Sequence, residues 1–159
     1  MRVYLTAPLF SQRERTWNRA LAGAAEKAFP ECAWTLPQDF RIGDSYNDPR
    51  QCPALFRKCL AGIDAADAVV AVLDGPEVDS GAAFEMGYAH ARGKPVVGIR
   101  TDYRPGPDRG VNLMTAECCG HLIREFAFNE DVGQLARSVV RRLRLLRRNL
   151  ARQRMNVKI

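Results

Sequence analysis

An uninterrupted apolar run lies near the middle of the chain, at Ala68-Val69-Val70-Ala71-Val72-Leu73, and it leaves few folds open. A strand with one face in water alternates apolar and polar residues, whereas this run is apolar on both faces. It is therefore predicted to be a central parallel strand that helices cover on both sides. The turn residues Asp74-Gly75-Pro76 follow the run directly and predict its end.

Strands and helices alternate on either side of this run. Residues 2–7 are typical of a strand that Pro8 ends, and a helix follows from a capping box formed by Ser11 and Glu14. The other predicted elements are a strand at 33–36, a loop at 37–50, a helix at 55–63, a helix at 80–92, a strand at 95–99, a helical turn near Asn112, a weak strand near Leu122 and a terminal helix. This order predicts one doubly wound α/β domain over residues 1–159, with a five-stranded parallel sheet in flavodoxin-like order and helices on both faces.

Composition argues against several classes of protein. No run of about 18 apolar residues is present, and residue 2 already begins a strand, so a cytoplasmic location without membrane contact is expected. Five cysteines without a CxxC pair favour reduced thiols over a disulfide framework. No metal site and no cofactor are expected, because the two histidines lack partners at ligand spacing and no GxGxxG, Walker or HExxH motif is present.

The net charge of +6 comes largely from the C-terminal segment. Apolar residues recur there at three- and four-residue steps, which predicts a basic amphipathic helix at 131–154 with a solvated charged face. Nucleic acid is not an expected partner, since no aromatic residues that could stack on bases are interleaved. The arginines of this segment are Arg137, Arg141, Arg142, Arg144, Arg147, Arg148, Arg152 and Arg154.

Polar residues follow the predicted strands at the edge where a ligand crevice would lie. In an open parallel sheet that crevice is found beyond the carboxyl ends of the strands. Asp79 is placed to cap the helix that begins at Ser80, which keeps its carboxylate ionised against free backbone amides. Glu85 follows in the same helix, and its side chain leans back toward the helix N-terminus and the crevice. Acids are common in the first turns of helices, so spacing alone leaves a structural role for Glu85 open.

Five segments carry a resemblance to a known family. The most specific is Asp-Ser-Gly-Ala-Ala-Phe-Glu-Met-Gly-Tyr-Ala at 79–89, and the others are at 3–10, 66–75, 93–98 and 111–114. Together these segments, which run in order from residue 2 to about residue 115, resemble the nucleoside 2-deoxyribosyltransferase family. The resemblance implies an enzyme that exchanges the base of a 2′-deoxynucleoside, with a deoxynucleoside and a free nucleobase as its binding partners.

The resemblance also implies residue roles. Glu85 would be the nucleophile that attacks C1′ and forms a covalent deoxyribosyl-enzyme with overall retention, Tyr4 would orient it, and Asp79 would hold sugar hydroxyls. Asn112 would reach the sugar 5′-hydroxyl in a neighbouring subunit, which implies a homo-oligomer. The residues implied to surround the substrate are Phe10, Gln38, Gly81, Asn112 and Met114.

The proton donor to the leaving base is left open. Some relatives have an acid in the helix before the central strand, whereas the aligned residue here is Cys59, a thiol with an ordinary pKa of about 8.5. Asp39, Asp44 or Asp48 of the long loop could supply the proton, or a purine could accept it from solvent at N7. Purine-only and purine-and-pyrimidine exchange therefore both stay open.

Two other functions stay open beside base exchange. Relatives with the same nucleophile hydrolyse nucleoside 5′-monophosphates, but there a serine tends to replace Asp79, whose charge would repel a phosphate dianion. Ser11, Arg13, Arg15 and Ser80 could nonetheless serve such a phosphate. The other possibility is a non-catalytic nucleotide-binding module whose basic helix contacts a partner.

Overall fold

The computed structural model describes residues 1–40, 48–104, 110–126 and 131–156. Asp44, one of the candidate proton donors, and the side chain of Arg154 lie outside the described part of the chain. Five strands are present in the described ranges, and each lies within a residue or two of a predicted strand. They are β1 Arg2–Thr6, β2 Ala33–Thr35, β3 Ala68–Val72, β4 Val96–Arg100 and β5 His121–Arg124.

The strands form one parallel sheet in the order β2-β1-β3-β4-β5. The predicted α/β fold with flavodoxin-like strand order is thereby confirmed. β3 lies at the centre, and all five of its residues are buried, as the doubly apolar run predicts. In the register of β1 and β3, Tyr4 lies opposite Val69 and Thr6 opposite Ala71, so both strands end at the same edge of the sheet.

Helices connect these strands. They are α1 Gln12–Ala28, α2 Cys52–Ala65, α3 Ser80–Ala91, α4 Leu113–Cys118 and α5 Val132–Asn156. α2 begins three residues before the predicted Leu55, because Pro53 falls in its first turn, where a missing N–H costs nothing. The predicted loop at 37–50 contains one 3₁₀ turn, Pro37–Asp39, and the start of another, Pro49–Gln51. Within the described ranges, no helix combines the length and apolar character of a membrane span.

The two faces of the sheet are covered by different helices. α1 and α5 pack against Val3, Leu5 and Val70 on one face. The other face carries Tyr4 and Val69 and packs against α2, α3 and α4. Because side chains alternate along a strand, Tyr4 and Thr6 both point toward the α2–α3 side. The carboxyl end of β1 therefore presents a phenol and a hydroxyl to α3.

A glycine on α2 lets that helix approach the ring of Tyr4. A Cβ built at Gly62 would lie 2.8 Å from Cε2 of Tyr4 and 3.4 Å from Cζ of Phe40. The first distance is shorter than real Cβ contacts, so no larger residue fits there without movement of the ring. Gly62 thus fixes how deeply the Tyr4 ring sits between β1 and α2.

A polar network fastens the loop that leads from β3 into α3. Asp74 accepts hydrogen bonds from the Thr101 amide at 2.6 Å and the Thr101 hydroxyl at 2.5 Å. Arg100, 2% exposed, donates to the Gly75 carbonyl at 2.9 Å, and the Asp102 carboxylate accepts from the Gly75 amide at 3.1 Å. This network joins the ends of β3 and β4 and so holds the start of α3 in place.

Candidate active site

Glu85 lies in the second turn of α3 with its carboxylate against the end of β1. The Tyr4 hydroxyl donates to Glu85 Oε1 at 2.7 Å, a short bond of the kind made to a charged acceptor. Tyr4 is fully buried, and burial, followed by the charge of Glu85, raises the pKa of its phenol. Tyr4 therefore stays protonated and acts only as a donor to the carboxylate.

The surroundings of Glu85 are unusual for an acid on a helix. Burial raises the pKa of Glu85 above its usual range, and the nearby charge of Asp79 acts in the same direction. Tyr4, Thr6 and Cys59 lie close enough to oppose this rise in pKa, and of the three only the Tyr4 hydroxyl forms a hydrogen bond of good geometry. All three neighbours are neutral, so no cation balances the charge of the carboxylate. A poorly solvated, oriented carboxylate of this kind is suited to nucleophilic attack.

Asp79 occupies the predicted N-cap of α3. Its Oδ1 accepts a hydrogen bond from the Ala82 amide at 2.9 Å. A Cβ at Gly81 would come within 3.1 Å of the same oxygen, so the absence of a side chain there leaves the carboxylate open. The structure thus brings Tyr4, Asp79, Gly81 and Glu85 together at one end of α3.

Gln38 and Phe10 lie around the first half of α1. Gln38 is buried, its Nε2 donates to the Arg15 carbonyl at 2.9 Å, and its Oε1 accepts from Asn18 at 3.2 Å. Its amide is therefore already engaged by the protein. Phe10 is 77% exposed and is held through its backbone amide, which donates to Glu14 at 2.9 Å. An aromatic side chain with that exposure is available to a ligand, whereas Gln38 would first have to change partners.

Asn112 and Met114 lie along a different face of α3 from Glu85. Asn112 is the N-cap of α4 and accepts from the Met114 amide at 2.9 Å, while the Met114 side chain is 77% exposed. Both residues line a cavity of about 600 Å³ together with Met86 and His90 of α3. The structure does not bring these two residues together with Glu85 within one chain.

The candidate proton donors to the leaving base differ in their hydrogen-bond partners and in the direction of their pKa shifts. The Asp39 carboxylate forms an exposed ion pair with Arg19 at 2.7 Å. Asp48 caps the turn that follows it, and its hydrogen bonds from Arg50 lower the pKa of its carboxyl, so that at neutral pH it holds no proton to donate to a leaving base. Cys59 is half-buried beside Tyr4 and Glu85, and burial raises the pKa of its thiol. Cys59 is therefore a neutral neighbour of the carboxylate.

Of the residues proposed for a phosphate group, two are already engaged by the protein. Ser11 caps α1 through its Oγ, which accepts from the Glu14 amide at 3.2 Å, and Arg15 donates to the Gln38 carbonyl at 2.9 Å. Arg13 is exposed and lines a cavity of about 710 Å³ with Trp17, on the α1 side of the sheet. Ser80 is exposed at the start of α3.

Thr6 belongs to this site, although the resemblance assigns it no role. It is 1% exposed, and its Oγ1 has no hydrogen-bond partner of good geometry among the described residues. It lies two residues after Tyr4 on the same face of β1 and close enough to Glu85 to oppose the rise of its pKa. The alternation of side chains along β1 is the one signal in the sequence that could have found it.

Across residues 1–40, 48–104, 110–126 and 131–156, no group of three or more His, Cys, Asp or Glu side chains is arranged to hold an ion. All five cysteines are free thiols.

A half-buried glutamate that a tyrosine orients at the strand-end crevice of a doubly wound sheet is typical of enzymes with a carboxylate nucleophile. The family model described as Nucleoside 2-deoxyribosyltransferase matches residues 3–143. The chain belongs to the nucleoside 2-deoxyribosyltransferase family. The end of α5, from Arg144 onward, extends beyond the matched region.

Solved structures of other proteins share the fold. A conserved protein from Enterococcus faecalis V583 is 27% identical with a TM-score of 0.70, covering 89% of this chain and 98% of that one. A 2-deoxyribosyltransferase from the psychrotolerant Bacillus psychrosaccharolyticus is 19% identical with a TM-score of 0.65, covering 86% and 90%. The CMP N-glycosidase BcmB from Clostridium botulinum is 21% identical with a TM-score of 0.53, covering 85% and 98%. No curated protein matches the sequence significantly.

Proposed function

We propose that this protein is a nucleoside 2-deoxyribosyltransferase that moves the deoxyribosyl group of a 2′-deoxynucleoside from one base to another. The hydrogen bond from Tyr4 to Glu85 at 2.7 Å carries the proposal, because it holds a half-buried carboxylate in one orientation without neutralising it. A carboxylate held only for packing would gain more from a cationic partner or from solvent.

The reaction consists of two displacements at C1′. An oxygen of Glu85 attacks C1′, the C1′–N bond breaks, and its electron pair goes to the departing base, which takes up a proton from solvent. The nitrogen of the incoming base then attacks C1′ and the ester bond breaks, so that its electron pair returns to Glu85. The incoming base releases a proton to solvent, which balances the first step. Two inversions give overall retention.

We propose the remaining roles from the resemblance to the family and from the position of each residue. Asp79 receives the sugar hydroxyls, since Gly81 leaves its carboxylate open. Phe10 offers an exposed ring to the base, and Gln38 approaches the base edge after exchanging its present partners. Asn112 and Met114 serve the site of a neighbouring subunit in a homo-oligomer. Their place on another face of α3 and the exposure of Met114 support this assignment.

Hydrolysis of nucleoside 5′-monophosphates is the second candidate. It is supported by the exposed Arg13 and Ser80 and by the structural likeness to a CMP N-glycosidase. Asp79 argues against it, because a carboxylate beside the sugar site repels a phosphate dianion. We therefore favour free deoxynucleosides as substrates, with the hydrolase as the alternative that the assay must distinguish.

A base-exchange assay tests the proposal. Deoxyadenosine or thymidine is incubated with a different free base, and the new deoxynucleoside is quantified for wild type, Glu85→Ala and the control Glu26→Gln, which alters an exposed carboxylate on α1. We expect exchange in wild type and control and its loss in Glu85→Ala. Release of free base from 5′-monophosphates alone would establish the hydrolase instead. Nucleotide binding without either reaction would leave the non-catalytic module.

A further inference from the structure

The Thr6 hydroxyl has an unusual position for a buried polar group. Thr6 is the last residue of β1 and is 1% exposed, and its Oγ1 has no partner of good geometry in the described part of the chain. Folded proteins retain few unpaired buried hydroxyls, because such a group has lost its hydrogen bonds to water. An unpaired hydroxyl that persists next to a candidate nucleophile therefore calls for a functional reason.

Its neighbours indicate what the missing partner is. Tyr4 and Thr6 point to the same side of β1, and the Tyr4 hydroxyl is already bonded to Glu85 Oε1 at 2.7 Å. Thr6 lies near enough to lower the pKa of Glu85, although the contact falls short of a hydrogen bond of good geometry. The other charged group near Glu85 is Asp79, whose Oδ1 is bonded to the Ala82 amide. The Glu85 carboxylate is therefore the acceptor that a small movement would bring to Thr6.

We propose that Thr6 is a further hydrogen-bond donor to Glu85, beside Tyr4 and the neighbouring thiol of Cys59, and that its bond becomes complete when the carboxylate is released from C1′. The inference rests on the function proposed above and names a residue that this function does not require. In the covalent intermediate the Glu85 oxygens belong to an ester and carry little charge. As the ester bond breaks, its electron pair returns to the carboxylate while the nitrogen of the incoming base forms its bond to C1′ and releases its proton to solvent.

A donor of this kind favours the transition state over the ester. Tyr4 serves one carboxylate oxygen throughout the cycle, whereas the Thr6 bond weakens in the ester and strengthens again as the charge of the carboxylate returns. An interaction that is stronger in the transition state than in the ground state accelerates the chemical step. A neutral hydroxyl is well suited to assist release of the carboxylate. A cation at the same place would stabilise the free carboxylate more strongly and so slow its attack on C1′ in the first displacement.

Two variants separate this role from packing. Thr6→Val keeps the shape of the side chain and removes the hydroxyl, while Thr6→Ser keeps the hydroxyl. The pKa of Glu85 is measured by NMR titration of ¹³C-labelled glutamate carboxyls, with assignment from Glu85→Gln. The rate of exchange is followed over the same pH range, and thermal unfolding is recorded for each variant.

For Thr6→Val we expect a higher pKa of Glu85 and an acid limb of the rate profile that moves to higher pH. The maximal rate should fall about 10- to 100-fold, the range for losing a hydrogen bond to a charged group. Thr6→Ser should restore most of both. At a pH low enough to protonate Glu85, Thr6→Val should melt no lower than wild type, because it removes an unpaired hydroxyl.

An unchanged pKa and rate in Thr6→Val would overturn the inference. The inference would also fail if Thr6→Val is slow, Thr6→Ser does not restore the rate, and both variants melt at a lower temperature than wild type. That result would indicate a packing role for Thr6. A raised pKa with an unchanged rate would refute the assistance to carboxylate release. If wild type performs no exchange while Glu85 still titrates higher in Thr6→Val, the proposed function fails and the contact between Thr6 and Glu85 stands.

Discussion

Replacing Gly62 with alanine should weaken the hydrogen bond that orients Glu85, although Gly62 contacts Tyr4 rather than Glu85. The added Cβ would lie 2.8 Å from Cε2 of Tyr4 and 3.1 Å from its Cδ2. To reach ordinary contact, the ring must retreat by about 0.6 Å. The Tyr4 hydroxyl is carried on that ring, so its 2.7 Å bond to Glu85 would stretch toward the limit of hydrogen bonding.

Gly62→Ala should change the free energy of unfolding through two opposing contributions, and it should change activity through the hydrogen bond from Tyr4 to Glu85. Overpacking of this kind costs about 1–3 kcal/mol, whereas replacing glycine by alanine within a helix returns about 1 kcal/mol. The net loss of stability should therefore be at most about 2 kcal/mol. A hydrogen bond to a charged group is worth about 1.5–3 kcal/mol, so kcat/KM should fall about 10- to 100-fold.

The assay compares Gly62→Ala with Gly23→Ala, a matched change on α1 where a Cβ meets nothing within 4 Å. Both variants are measured for base exchange across pH and for urea unfolding. The Gly23 variant should keep full activity and gain up to about 1 kcal/mol of stability. In a Tyr4→Phe background, Gly62→Ala should cause little further loss, because the two changes disrupt the same bond. Wild-type activity in Gly62→Ala, or full additivity with Tyr4→Phe, would refute the reasoning.

Three further predictions concern the carboxylate of Glu85 and the buried guanidinium of Arg100. Because burial raises the pKa of Glu85, the folded state binds the carboxyl proton of Glu85 more tightly than the unfolded chain does. This tighter binding stabilises the folded state at acidic pH, and the stabilisation is lost as the pH rises through the raised pKa of Glu85. Glu85→Gln should therefore unfold at higher urea than wild type at pH 7, with the gain disappearing near pH 4. The rate of exchange should fall on the acid side with an apparent pKa above the ordinary glutamate value of about 4.3, and an acid limb at or below that value would contradict the assignment. Arg100→Met should lose about 3 kcal/mol in urea unfolding, because it leaves the buried Leu73 carbonyl and the partly buried Gly75 carbonyl unpaired. The control Arg104→Met, at an exposed side chain, should lose under about 1 kcal/mol.

Much of the fold could be predicted from local patterns. The doubly apolar run at 68–73 identifies β3 as the central strand, and the spacing of Ser11 and Glu14 identifies the start of α1. These signals depend on residues that are close in sequence, so one sequence suffices. The N-cap at Asp79 could be predicted for the same reason.

The site could be predicted only in part, because its geometry depends on residues far apart in the chain. The motif at 79–89 points to Glu85, but the contact of Gly62 with Tyr4 and the unpaired hydroxyl of Thr6 arise where α2 and α3 pack on β1. The engagement of the Gln38 amide by α1 is a contact of the same kind. Contacts between residues so far apart in the chain cannot be predicted from the pattern of residues within one segment.

The central claim is that Glu85 becomes covalently attached to the sugar. The direct measurement is to mix the protein with a deoxynucleoside in the absence of an acceptor base, quench with acid within one turnover and map the peptides by mass spectrometry. We predict that the peptide containing Glu85 carries the added mass of one deoxyribosyl group, that the label disappears when a free base is added before the quench, and that Glu85→Gln carries none. A label on another residue, or base exchange by a protein that is never labelled, would contradict the claim.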